Sequence, residues 1–261
     1  MFEQGNKTTR SPLKAPPLRN PGQYLGEEIK RLQTEDIGSY VVAVVMFVFI
    51  AIIEWIRFLM KWPPQPGLFT AMTVLVCCFA AIKVKPIRRR VRNLKQGEEG
   101  EKVVGQYLEA LREKGYKVLH DIVAGKFNLD HVLVGPSGVY VIETKTISKP
   151  ARGQAVVEYD GEKVSVNGHT PDRDPVMQTK ALSRWLEELI KDSTGKSFKV
   201  RPVVVYPGWY VSDQPRGAEV WVLNPKALPS FLEHENTTMS TEDVHLVCYH
   251  LSRYVRGTGL E

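Results

Sequence analysis

Between Ile37 and Ile53 the chain carries no charged side chain, and a helix that is apolar all the way round belongs in lipid or in the interior of a large protein. With Trp55 and Ile56 the run reaches the roughly twenty residues that cross a bilayer's hydrocarbon core. A second uncharged run, Gly67 to Ile82, follows the connection Lys61-Trp62-Pro63-Pro64-Gln65-Pro66-Gly67. That connection is short and helix-breaking, so the two spans must be antiparallel. Glu54 and Arg57 are spaced to pair or to snorkel at the end of the first span. Trp62 marks that interface, and Lys83 can snorkel beyond the second run. The expectation is a transmembrane helical hairpin over 37–84; the alternative is a hairpin buried in a soluble fold.

The charge pattern sets a topology. Lys83, Lys85, Arg88, Arg89, Arg90, Arg92 and Lys95 form a cationic run directly after the second span, which the positive-inside rule assigns to the cytoplasm. Both termini then lie in the cytoplasm, and the chain is expected in the cell (inner) membrane as a multi-pass protein. This run accounts for much of the formal net charge of +6, so whole-chain charge says little about nucleic acid; the run itself reads as a topology and lipid-contact signal at a lipid bilayer. Residues 1–36 are polar, contain Pro12, Pro16, Pro17 and Pro21, and show no apolar periodicity; they read as a disordered cytoplasmic tail. Residues 85–96 read as a basic juxtamembrane linker and 97–261 as the soluble domain. Three cysteines, two of them adjacent, form neither a disulfide framework nor a zinc pattern.

Within the soluble domain, NLDHVLVGPSGVYVIETKT (Asn128 to Thr146) sets two Val-, Ile- and Leu-rich runs around the turn formers Gly135-Pro136-Ser137-Gly138, a β-hairpin pattern. If Val134 pairs with Val139, the register brings Asp130 opposite Glu143. Side chains along a strand alternate faces, so Lys145 shares the face of Glu143, together with Val132, Val134, Val139 and Val141. An apolar face ending in Asp, Glu and Lys is costly unless the charges pair or bind a metal. Spacing alone leaves both readings open.

Gly97-Glu98-Glu99-Gly100-Glu101 opens a helix expected to run to about Glu113 and to stop at Gly115. Val104, Tyr107, Leu108 and Leu111 form its core stripe, and Glu101 falls on the same stripe three residues earlier. Tyr116 to Ile122 reads as a strand, with His120 and Asp121 as polar residues at its end. Gly153 to Val157 and Lys163 to Val166 read as short strands around Asp160-Gly161. Asp174-Pro175 starts a helix as N-cap and first residue, with Leu182, Trp185, Leu186 and Leu189 inward and Gln178 in line with them. Val200 to Tyr206 and Glu219 to Leu223 read as further strands, and Val244 to Tyr254 as a closing helix. The pattern is an α/β sheet flanked by helices.

Asp130 followed by Glu143-Thr144-Lys145, in a hairpin after a helix bearing Glu101, resembles the PD-(D/E)xK nuclease superfamily. More narrowly, GEEGEKVV, LDHVLV, GVYVIETK and DPVMQ resemble the nuclease-related domain, NERD, over roughly Gly97 to Leu223. The resemblance implies a restriction-endonuclease-like mixed sheet flanked by helices, here preceded by two transmembrane helices. It implies hydrolysis of phosphodiester bonds in nucleic acid, DNA foremost, with Mg²⁺ or Mn²⁺. Asp130, Glu143, the Thr144 carbonyl and Glu101 would hold the metal; Lys145 would orient water or neutralise phosphate, and Gln178 would hold water or the substrate backbone. The alternative is a catalytically silent, membrane-anchored nucleic-acid-binding or scaffold module.

Overall fold

The computed structural model describes residues 18–62, 65–125, 127–150, 154–212, 215 and 217–258. Of the sequence expectations, residues 1–17 of the tail, the Pro63-Pro64 pair and Gly153 lie outside the described residues. The chain divides into two compact units, Gly22–Glu101 and a second made of Met1–Pro21 with Lys102–Glu261.

The first unit is helical: α1 (Gln23–Arg31), a π-helical turn (Leu32–Ile37), α2 (Gly38–Leu59), and α3 (Pro66–Glu109), which continues beyond the unit. Two of its helical stretches are long and apolar enough to cross a membrane, and their apolar windows are almost entirely unburied. Glu54, itself buried, pairs with Arg57 at 2.7 Å and accepts the Gln65 N–H at 3.2 Å. One carboxylate thus ties the end of α2 to the loop that reverses the chain.

Two expectations are corrected in this unit. The stretch from Gln23 to Asp36, expected as disordered tail, is helical. Ile29 and Leu32 on it are buried with Val91, and Ile87 and Leu94 pack against them; a few well-placed apolar residues suffice where composition alone suggests disorder. For the same reason residues 85–96 are not a linker. They belong to a continuous helix from Pro66 to Glu109 that includes Pro86, with Lys and Arg, good helix formers, covering its outer side. Gly97 is a helix-interior residue rather than a helix start, and a Cβ there would meet Leu25 Cδ1 at 3.1 Å.

In the second unit the last turns of α3 end in a 3₁₀ turn, Ala110–Lys114, closed by Gly115 at φ 85°. The chain then forms β1 (Lys117–Ala124), β2 (Phe127–Gly135), β3 (Gly138–Thr144), β4 (Val156–Tyr159), β5 (Val164–Val166), α4 (Pro175–Thr194), β6 (Val200–Val205), β7 (Tyr210–Val211), β8 (Trp221–Leu223), α5 (Leu228–Glu233) and α6 (Thr241–Thr258). The main sheet has the order β1-β2-β3-β6-β8, and a smaller one the order β5-β4-β7. β1, β2 and β3 are antiparallel, whereas β3, β6 and β8 are parallel. β7 and α5 go beyond the sequence expectations because both are short: β7 has two residues, and α5 carries a single turn of the helical period, Leu228, Phe231 and Leu232, too brief to stand out in the sequence.

One face of the main sheet presents Val132, Val134, Val139 and Val141, which pack with Leu186 of α4 and Leu251 of α6. The other presents Leu133, Tyr140 and Ile142, covered by Val104, Leu108 and Leu111. Tyr107, expected in that stripe, is exposed, because Val104, Leu108 and Leu111 already fill the narrow line at i, i+4 and i+7. The hairpin turn closes at Gly135↔Gly138, with Gly138 at φ 137°, a conformation suited to glycine. The result is a mixed sheet flanked by helices in a restriction-endonuclease-like arrangement.

Candidate active site

The β2–β3 register runs from Gly135↔Gly138 through Val134↔Val139 to His131↔Ile142. Asp130 and Glu143 come next, one step beyond the last paired rung. There β3 is held from its other side: Glu143 is level with Val204 and Thr144 with Val205 of β6, and the Lys145 N–H donates to the Val205 carbonyl at 2.9 Å. Strand geometry therefore persists one residue past β3, and Glu143 and Lys145 project from the same face. The ends of two parallel strands meet at this edge, a common place for a site in an α/β sheet.

Glu143, Lys145 and Gln178 form a closed ring of hydrogen bonds. Lys145 Nζ is 2.8 Å from Glu143 Oε1 and 2.9 Å from Gln178 Oε1, and Gln178 Nε2 donates to Glu143 Oε1 at 2.7 Å. Gln178 arrives from the first turn of α4, whose start is fixed by Asp174: its side chain accepts the Val176 and Met177 N–H groups, and Pro175 follows it. Glu143 is buried, and its second oxygen, Oε2, is enclosed without a hydrogen-bond partner. Asp130, also buried, accepts the Thr144 N–H at 2.8 Å, so its carboxylate lies against the residue between Glu143 and Lys145. The Thr144 and Thr146 hydroxyls are buried without hydrogen-bond partners.

Glu101 lies on α3 in the helical unit. It is 5% exposed, while Glu98 is half-buried and Glu99 exposed; facing alone separates the three, as expected from the stripe. Among the described residues no group of three His, Cys, Asp or Glu side chains is gathered as a metal cluster. The donors at the sheet edge are therefore two carboxylates and backbone oxygens. Mg²⁺ commonly binds through one or two carboxylates and keeps several waters, and a buried carboxylate oxygen with no other partner suits such an ion.

His120 and Asp121, expected as polar residues at a strand end, are instead buried among polar partners within β1. His120 and His131 are paired across β1 and β2 with their Nδ1 atoms 2.9 Å apart, and His120 Nε2 is 3.0 Å from Glu109 Oε1. Burial lowers the pKa of both, that of His131 well below its ordinary value. The tautomers follow: His120 donates from Nε2 to Glu109 and accepts at Nδ1 from His131, leaving the enclosed His131 Nε2 as a bare acceptor with no unmet N–H. Asp121 is fully buried at φ 53° and pairs with Arg19 at 2.6 Å. Strand alternation after Asp130 was the available signal that His131 points the other way; its partner, eleven residues earlier, was not legible from spacing.

Residues 96–207 match the nuclease-related domain family, NERD. No curated protein sequence matches the chain. Among solved structures, SfsA of Pyrococcus furiosus, determined in complex with Ca²⁺, is similar at 20% identity over 61% of this chain and 52% of its own, with a TM-score of 0.22. The chain thus spans about half the length of that protein, and so low a score carries no inference. Residues 96–207, which include the first strands of a mixed sheet flanked by helices, are thus similar to the nuclease-related domain family over somewhat less than half of the chain.

Proposed function

We propose that the chain is a membrane-anchored, metal-dependent nuclease that hydrolyses phosphodiester bonds of nucleic acid, with DNA the first substrate to test. In this reading α2 and α3 cross the cell membrane and the catalytic unit and both termini are cytoplasmic. The observation that carries the chemistry is the enclosed, unpartnered Glu143 Oε2, at a sheet edge where Lys145 and Gln178 occupy the other Glu143 oxygen and Asp130 accepts the N–H of the next residue, Thr144. A buried carboxylate oxygen left bare is costly unless something positive meets it.

Asp130 and Glu143 would hold Mg²⁺ or Mn²⁺, with the Thr144 carbonyl and water completing the donor set. A bound divalent ion polarises the phosphate and lowers the pKa of water. The remaining work belongs to the chain. Lys145 is 26% exposed on its side chain, so its ammonium is open enough to meet a phosphate oxygen or a water while Glu143 keeps it in place. Gln178 holds that ammonium from the other side and has one N–H left for water or the substrate backbone. No residue becomes covalently attached to substrate.

The deciding experiment is incubation of the full-length protein in detergent with single- and double-stranded DNA and RNA, with Mg²⁺ or Mn²⁺ and with chelator. Cleavage is expected only with the ion. Binding without cleavage of any substrate, with no ion-dependent change in melting temperature, would instead support a catalytically silent anchoring or scaffold module.

A further inference from the structure

The helical unit has a feature that nuclease chemistry does not use. Along α2 and α3 runs a cavity of about 460 Å³, lined by Tyr40, Val41 and Val44 on one side and Cys77, Ala81 and Val84 on the other. Positions 77, 81, 84 and 88 fall on one helix face, so the apolar stripe of α3 leads directly to Arg88, which lines the cavity together with Lys85. The small side chains of Cys77 and Ala81 leave the room between the helices. From Cys77 to Arg88 the axial advance is about 16 Å, enough for much of one lipid acyl chain.

Lys85 and Arg88 also line a second cavity of about 450 Å³, completed by Pro86, Arg89 and Arg92. Lys85, Arg88, Arg89 and Arg92 recur at i, i+3, i+4 and i+7 and thus make one cationic face. Among the described residues none of these four has a carboxylate partner, whereas Arg90, projecting from the other side of the helix, pairs with Glu28 at 2.8 Å. Four like charges within two helical turns repel one another, and an anion among them relieves that repulsion.

We propose that the groove and its cationic end are a binding site for one anionic phospholipid, with an acyl chain along Val44, Cys77 and Ala81 and the phosphate on Lys85 and Arg88. This rests on the reading of α2 and α3 as membrane-spanning. The apolar stripe requires hydrocarbon, the adjoining face requires an anion, and the two share Lys85 and Arg88, so both belong to one molecule. Free phosphate leaves the groove unfilled. A zwitterionic lipid brings a second cation to an already cationic face.

Full-length protein in mild detergent, titrated with phosphatidylglycerol, phosphatidylcholine or inorganic phosphate, provides the test, read by lipid retention in native mass spectrometry and by melting temperature. Phosphatidylglycerol is expected to be retained and to raise the melting temperature, and the other two are not. Lys85→Gln with Arg88→Gln is expected to weaken phosphatidylglycerol binding by at least about tenfold. Lys30→Gln with Lys95→Gln removes the same charge elsewhere in the unit and should leave binding near wild type. Ala81→Phe fills the groove and should lose the lipid with every charge intact; if that variant does not fold, the two charge pairs decide. Equal retention of phosphatidylcholine, an effect of inorganic phosphate equal to that of the lipid, or an equal loss in the control pair overturns the site. Vesicle flotation separates the two readings. A chain that floats with no vesicle overturns the membrane anchor and this site with it, whereas flotation with all vesicles but no preference for the anionic lipid overturns the site alone.

Discussion

Gln178 and Glu143, thirty-five residues apart, are joined by a 2.7 Å hydrogen bond from Nε2 to Oε1. The bond ties the first turn of α4 to the end of β3, and the same glutamine accepts from Lys145. Replacing Gln178 by Leu removes a donor from a buried carboxylate and an acceptor from its ammonium partner. A loss of about 1–3 kcal/mol in unfolding free energy is expected, measured by chemical denaturation. A loss no larger than that of Met177→Leu, an exposed neighbour on the same turn, would show the ring to be unimportant for stability.

Asp130→Ala and Glu143→Ala should each abolish cleavage and each remove the Mg²⁺-dependent rise in melting temperature. Wild type should gain about 1–3 kcal/mol at saturating Mg²⁺. Nucleic-acid binding in these variants should be equal or stronger, since less negative charge then faces the phosphates. Thermal melts with and without Mg²⁺, set beside a binding assay, check this even before the best substrate is known.

Lys145→Ala separates catalysis from a plain salt-bridge cluster. Lysine is a cation and not a metal ligand, so the variant should keep Mg²⁺-dependent stabilisation while cleavage falls by about 10²- to 10⁴-fold. A variant that unfolds and wild type that ignores Mg²⁺ would mark Lys145 as a purely structural counter-ion.

The histidine pair predicts a pH dependence with a definite sign. Burial depresses the pKa of His120 and His131, so the unfolded chain binds protons that the native state refuses. Their contribution is fully present above the unfolded value, about 6.5, and is lost as pH falls from there through the lower folded values. Melting temperature should therefore drop between roughly pH 6.5 and 5. His131→Leu should flatten that limb by removing the more deeply buried ring; a limb of unchanged slope would assign the acid sensitivity to other groups.

Topology is checked by labelling single cysteines from outside intact cells, in a background where Cys77, Cys78 and Cys248 are replaced. A cysteine at Gln65, in the connection between α2 and α3, should react, and one at Glu162, beyond β4, should not. The reverse pattern would place the nuclease-like unit outside the cell and contradict the orientation expected from the basic run.

The sequence by itself determined the features that depend on local periodicity and local chemistry. The two uncharged runs, the Gly135 to Gly138 turn, the Val134↔Val139 register and the Asp174-Pro175 helix start all follow from residues within a few positions of one another. Period-two alternation likewise made it legible that Glu143 and Lys145 share a face. Tertiary structure decided what depends on distant partners. Ile29 and Leu32 turn an apparently disordered stretch into a helix because Val91, some sixty residues later, gives them somewhere to be buried. Gln178 reaches Glu143 only because α4 packs against the sheet, and His120 and Asp121 are buried by groups, His131 and Arg19, that no local pattern connects to them. Polar residues at strand ends look alike in sequence; whether water or another side chain meets them is settled only when the chain has folded.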